Sequence, residues 1–112
     1  MIKNNEKSIF LEVVGDTPKL RVLDFLITFQ AFDYSLTDIA KNAKVSYSNL
    51  MLFWPQLVKA GIVKQTRVVG KARMFKLNME NPFVQELSRL QWVVSKMIIH
   101  KKLGLSEIKI HA

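Results

Sequence analysis

Two helix-start signals, Ser35 and Ser46, each followed by a short apolar pattern, constrain the fold of this chain more than any other feature. Ser35 precedes Leu36, Thr37 and Asp38. Its hydroxyl can accept a hydrogen bond from a first-turn amide, and the Asp38 carboxylate suits the positive end of the helix dipole. The pattern predicts a helix from Leu36 with Ile39, Ala40 and Ala43 on its buried stripe, the small Ala40 letting another helix cross close by. Residues 42–45 break that pattern. Ser46, with Asn49 three residues on, then predicts a second helix from Tyr47. Leu50, Phe53 or Trp54, and Leu57 recur in it at helical spacing and are expected to face the core. Tyr47, Ser48, Asn49, Met51, Leu52 and Gln56 are left for the outer side.

Two short helices joined by about four residues make a helix-turn-helix, whose second member can enter the major groove of DNA. The spacing of Ile39, Ala40, Ala43, Val45, Leu50 and Phe53 matches the core positions of that motif. The continuation Leu57-Val-Lys-Ala-Gly-Ile-Val63 resembles the leucine, glycine and aliphatic pair that end the recognition helix in winged-helix regulators of the MarR and ArsR type. Lys64-Gln-Thr-Arg-Val-Val-Gly-Lys-Ala-Arg-Met-Phe-Lys-Leu77 is similar to their basic wing. The resemblance covers roughly residues 18–80 and is nearest to small archaeal regulators of this type. It implies a mainly helical α+β fold: a three-helix core plus a β-hairpin wing, a winged helix-turn-helix that binds DNA.

Two positions depart from the family pattern. Lys44 stands where these motifs commonly place glycine, because the turn residue often needs a positive φ. Pro55 falls in the middle of the recognition helix, where it deletes a backbone hydrogen bond and crowds the carbonyl of Met51, so a kink is expected over residues 51–54. Met51 and Leu52 are also apolar where relatives often present arginine or serine. Thymine methyl groups are one use for them and packing against another segment is the other.

The charge is unevenly distributed. Between Ile39 and Met79 lie Lys41, Lys44, Lys59, Lys64, Arg67, Lys71, Arg73 and Lys76, without one Asp or Glu. The rest of the chain holds nine basic and nine acidic groups, so the net charge of +8 belongs to the helix-turn-helix and hairpin. A surface with no polyanion partner more often mixes its signs. Gly70-Lys71 between two β-rich runs signals a two-residue hairpin, with Phe75 and Leu77 pointing to the core opposite Val63. Arg67, Lys71 and Arg73 then fall near its tip, placed for a minor groove or a sugar-phosphate strand. Basic edge strands also resist aggregation, which is the plainer use of the same residues. The expected DNA-binding set is Lys44, Ser46, Tyr47, Ser48, Asn49, Leu52, Gln56, Arg67, Lys71 and Arg73. Asn49 and Gln56 can read an adenine edge, and an ordinary solvated or capping role is the alternative for each.

Four segments are expected: an N-terminal stretch 1–17, the DNA-binding domain 18–80, a C-terminal helix 81–104 and a tail 105–112. Residues 9–14 read equally as a short strand or a helical turn. Thr17-Pro18 starts a helix expected to reach about Ala31, with Leu20, Leu23 and Ile27 on its apolar face and Phe25 and Phe29 widening it. Residues 32–34 link it to the helix-turn-helix. Asn81-Pro82 starts the last helix and Gly104 is its expected stop. Phe83, Leu87, Leu90, Val94 and Met97, with Ile98 beside them, form a stripe along a helix of about 20 residues and roughly 30 Å, too long for a small domain to hide and suited to pairing with a second copy. Basic residues on its other sides argue against a membrane span; an amphipathic helix lying on a membrane surface is a weaker alternative. Ile108-Lys-Ile110 could form an edge strand.

With no cysteine, disulfides and thiolate chemistry are excluded. His100 and His111 stand apart from each other and from any acidic cluster, so neither a metal nor another cofactor is expected. No phosphate-binding glycine loop or catalytic triad is present, and catalysis is not expected. The polar N-terminus is neither a signal peptide nor a span, which points to a cytoplasmic protein. The expected function is a homodimeric transcriptional regulator on double-stranded DNA. A non-specific DNA-coating protein and a winged helix turned to protein interaction are the alternatives.

Overall fold

The computed structural model describes residues 8–102, with side chains from 8 to 97. The expected edge strand at 108–110, the stop at Gly104, His111 and the side chains of Ile98 and His100 lie outside what is described. Five helices and three strands follow in the order α1 (Ile9–Val14), α2 (Pro18–Thr28), β1 (Tyr34–Ser35), α3 (Leu36–Ala43), α4 (Tyr47–Lys59), β2 (Val63–Val69), β3 (Ala72–Leu77) and α5 (Pro82–Lys102). The sheet is antiparallel, with β3 in the middle.

The expected caps form: the hydroxyls of Thr17, Ser35 and Ser46 accept a first-turn amide from Leu20, Asp38 and Asn49 respectively, and the Asn81 side-chain oxygen accepts from Phe83. Ser8, not singled out by the sequence, caps in the same way, accepting from Leu11. Residues 9–14, undecided by pattern, are thus a capped helix. α2 ends at Thr28 rather than Ala31: the Thr28 hydroxyl donates to the Asp24 carbonyl and the Gln30 amide to the Ile27 carbonyl, satisfying the last turn locally. Residues expected as a bare linker contribute β1, whose Tyr34 and Ser35 lie opposite Phe75 and Met74.

The core gathers Val22, Leu23, Leu26 and Ile27 of α2, Ile39, Ala40 and Ala43 of α3, Leu50, Phe53, Trp54 and Leu57 of α4, and Val63, Phe75 and Leu77 of the sheet. Both Phe53 and Trp54 are buried, Trp54 edge-on to Phe75 with ring centroids 5.3 Å apart. Phe10 and Leu11 of α1 and Val84 and Leu87 of α5 belong to the same core. α1 packs on α5, and Gln91 of α5 donates to the buried Asp24 carboxylate and to the Thr28 hydroxyl of α2.

That packing divides the apolar stripe of the last helix, which was expected to be free for a second copy. Leu87 and Val94 are buried within this chain, whereas Phe83, Leu90 and Met97 are exposed at seven-residue spacing. A helix face is wider than one row, so α1 and α2 cover its centre and leave a flank open. Trp92 lies 65% exposed outside that row.

Candidate nucleic-acid interface

α3 and α4 meet at a tight turn whose hydrogen bonds are fully assigned. The Lys44 amide donates to the Lys41 carbonyl and the Val45 amide to the Ala40 carbonyl, a Schellman closure with Lys44 left-handed at φ 60°. Arg21 of α2 holds this turn from below: Nη1 donates to the Lys44 carbonyl at 3.0 Å, while Nε and Nη2 grip the Asp16 carboxylate. Its hydrogen bond to Asp16 raises the Arg21 pKa above its ordinary value. The turn that aims α4 is therefore pinned to α2.

α4 runs unbroken from Tyr47 to Lys59 through Pro55. With Leu50, Phe53, Trp54 and Leu57 buried, helical geometry places Ser48, Leu52, Pro55 and Lys59 along the opposite crest, with Gln56 beside them. Pro55 therefore presents its ring to solvent. All five are exposed, Leu52 at 79%. Tyr47 is half exposed, Asn49 is partly buried, and Ser46 is exposed with its hydroxyl engaged as the helix cap.

The hairpin stands beside this helix. Gly70 takes φ 61° in the two-residue loop between Val69 and Ala72, and Lys71 does not share the positive φ, so the turn is of the type that places glycine first. Between the pairs Gln65↔Phe75 and Arg67↔Met74 the register slips by one residue, with Thr66 as the extra. Without the bulge Arg67 would sit directly opposite Arg73, a like-charged pair. With it, Arg67 turns instead to Asp33 on the linker before β1, donating from Nε at 2.9 Å and Nη2 at 3.1 Å, and the Thr66 hydroxyl donates to the same carboxylate. Hydrogen bonds from Arg67 and then Thr66 hold the Asp33 pKa down at about 2, against an ordinary 3.8.

This pairing changes the role expected of Arg67. Among the described residues it is the one of the eight cations between residues 39 and 79 with a carboxylate partner. Arg73 shares a side of β3 with Phe75 and Leu77, toward α4, and lines an open cleft of about 790 Å³ with Lys71, Tyr47, Met51, Trp54 and Gln65. The cleft joins α4 to the hairpin and reaches the start of α3 at Ser35. Of the residues singled out from sequence, Tyr47, Lys71 and Arg73 meet at the cleft, and Ser48, Leu52 and Gln56 lie on the crest beside it. Lys59 and Lys64, both exposed, complete the cationic border. Helical spacing from Leu52 is the signal that puts Lys59 on this face. Asp33, which sequence pattern does not single out, is revealed by the sheet register alone.

Three solved structures share this architecture. NadR in complex with 4-hydroxyphenylacetate aligns with a TM-score of 0.61 at 16% identity, covering 96% of this chain and 89% of that one. MepR, a transcription regulator of the Staphylococcus aureus multidrug efflux pump MepA, aligns at 0.59 with 12% identity, over 88% of this chain and 70% of that one. Lactococcus lactis ZitR in complex with DNA aligns at 0.56 with 12% identity, over 97% and 69%.

The fold is a winged helix-turn-helix like that of the MarR family transcriptional regulator SPO1453 from Silicibacter pomeroyi DSS-3, which aligns at 0.57 with 19% identity over 88% of this chain and 69% of that one.

In that fold α2, α3 and α4 are the three-helix core, α4 is the second helix of the helix-turn-helix, and β2 with β3 is the wing. By sequence alone no family model and no curated protein matches the chain. Among the described residues the winged helix has no group of three His, Asp or Glu able to hold a metal ion, and no helix long and apolar enough to cross a membrane.

Proposed function

We propose that this winged helix is a transcriptional regulator that binds double-stranded DNA as a homodimer, without catalysis. The observation that carries the reading is the carboxylate-free span 39–79: apart from Arg67, its cations have no acidic partner among the described residues, and they border α4 and the wing. The occupant with the right charge is a duplex, with α4 in a major groove and its sugar-phosphate strand along the cleft. The complex of Lactococcus lactis ZitR with DNA supports the same use of the fold.

Homodimerisation is supported by the exposed row of Phe83, Leu90 and Met97 on a helix whose other face is already covered. A two-fold dimer would select an inverted repeat with half-sites about 34 Å apart, one helical turn.

Anisotropy titrations of labelled duplex against salt test the binding. The double variant Lys71→Ala/Arg73→Ala is expected to lower the salt slope by about two, one for each cation taken away from a phosphate, while Arg67→Ala lowers it less. If the double variant leaves affinity and slope untouched, the wing does not touch DNA and the protein-interaction alternative is preferred. A defined operator should be bound about a thousandfold or more tighter than random duplex at matched salt; equal affinity would mark the DNA-coating alternative.

A further inference from the structure

The crest of α4 carries chemistry that the general DNA-binding reading leaves unused. From Tyr47 to Val58 the helix holds no charged side chain, and at the middle of its open face stands Leu52, the most exposed large apolar residue among those described. A single exposed leucine is ordinary on most surfaces, but its surroundings are specific here. One turn before it is Ser48 and one turn after it is Gln56, both uncharged hydrogen-bonding groups, and Lys59 follows on the same crest. Lys44 lies at the turn before the helix and Lys71 and Arg73 across the cleft, so phosphate-seeking cations surround a neutral centre.

On base edges in the major groove, the thymine 5-methyl is the apolar feature, and strong guanine reading depends on arginine or lysine. Resting on the reading of α4 as the helix that enters the groove, we propose that Leu52 is a specificity-determining residue that packs on thymine methyl groups. Gln56 then sits one turn away with the paired donor and acceptor that suit adenine. The face selects A·T steps through the major groove and is indifferent to guanine. The flanking cations fit a nucleic acid better than a protein partner of mixed charge.

Four short duplexes of alternating sequence separate this from other sources of A·T preference: dA-dT, dA-dU, dI-dC and dG-dC. Uracil differs from thymine by the methyl alone, and inosine gives a minor groove like that of A·T with a major groove like that of G·C. With the full chain at fixed salt, dA-dT is expected to bind tighter than dA-dU by roughly fourfold per methyl contacted, the worth of one methyl removed from water. In Leu52→Ala the ratio between these two duplexes falls towards one, and for the wild type dI-dC groups with dG-dC. A thermal midpoint for the variant close to that of the wild type shows that the fold is kept, as befits so exposed a side chain. Equal binding of dA-dT and dA-dU by the wild type overturns the proposal, as does a methyl preference that survives in Leu52→Ala. If dI-dC groups with dA-dT, the wing reads the minor groove and the proposal also falls. Salt-dependent binding without methyl preference sinks this inference alone. Absence of salt-dependent binding to all four sinks the DNA-binding reading with it.

Discussion

Lys44 and Gly61 occupy the same place in the same hydrogen-bonded motif, one at the end of α3 and the other at the end of α4. At the second, the Gly61 amide donates to the Val58 carbonyl and the Ile62 amide to the Leu57 carbonyl, with φ 71°. At the first, a lysine takes φ 60°, where its Cβ crowds the following carbonyl at a cost of about 1–2 kcal/mol. Arg21 of α2, itself held by Asp16, fixes this geometry by donating to the Lys44 carbonyl. Lys44→Gly should relieve the strain and lose about 0.5–1 kcal/mol to glycine's larger chain entropy, a net gain of about 1 kcal/mol. For a domain of this size the midpoint in a thermal melt should rise by on the order of 5 °C. The same variant should bind duplex less tightly, its salt slope falling by about one, if the lysine meets a phosphate. A lysine retained against its backbone preference would then owe its place to the ligand.

At the scale of elements, the wing is positioned by a carboxylate outside it. The bulge at Thr66 re-aims Arg67, and Asp33 takes the guanidinium and the Thr66 hydroxyl together, tying β2 to the linker between α2 and β1. Because the folded Asp33 pKa lies below its ordinary value, the pair contributes stability above about pH 4 that is lost as pH falls through about 2. Thermal melts between pH 4 and pH 2 should show a smaller loss for Asp33→Asn than for the wild type, the difference isolating this group from the other carboxylates. Equal losses would mean that the link does not hold the hairpin. Pro55, expected to kink α4 over residues 51–54, lies within an uninterrupted helical span on its solvent side, and Leu50, Phe53, Trp54 and Leu57 anchor the opposite face.

For the molecule as a whole, the last helix serves two surfaces at once. Val84, Leu87 and Val94 are buried against the chain itself, and the Gln91 amide reaches the buried Asp24, so α5 cannot be removed to test association without uncovering the core. The flank formed by Phe83, Leu90 and Met97 can be altered without touching that core. In sedimentation at tens of micromolar the intact chain should be a dimer, and Leu90→Glu, which would bury a carboxylate in a paired interface, should be a monomer. A wild-type chain that stays monomeric under those conditions rejects the dimer.

Local patterns determined much of this protein. The serine and threonine caps, the apolar spacing of α3 and α4, the glycine hairpin and the confinement of excess cations to one span are all short-range, and each follows from preferences of neighbouring residues. What only the tertiary structure decided depends on partners far apart in sequence. Asp33 neutralises Arg67 from 34 residues away, the bulge fixes which face of the wing each arginine takes, and β1 exists because β3 offers it a ladder. α1 and α2 claim half of a stripe that periodicity shows as one. Periodicity reports that a side chain seeks burial, and only the packed fold shows what covers it.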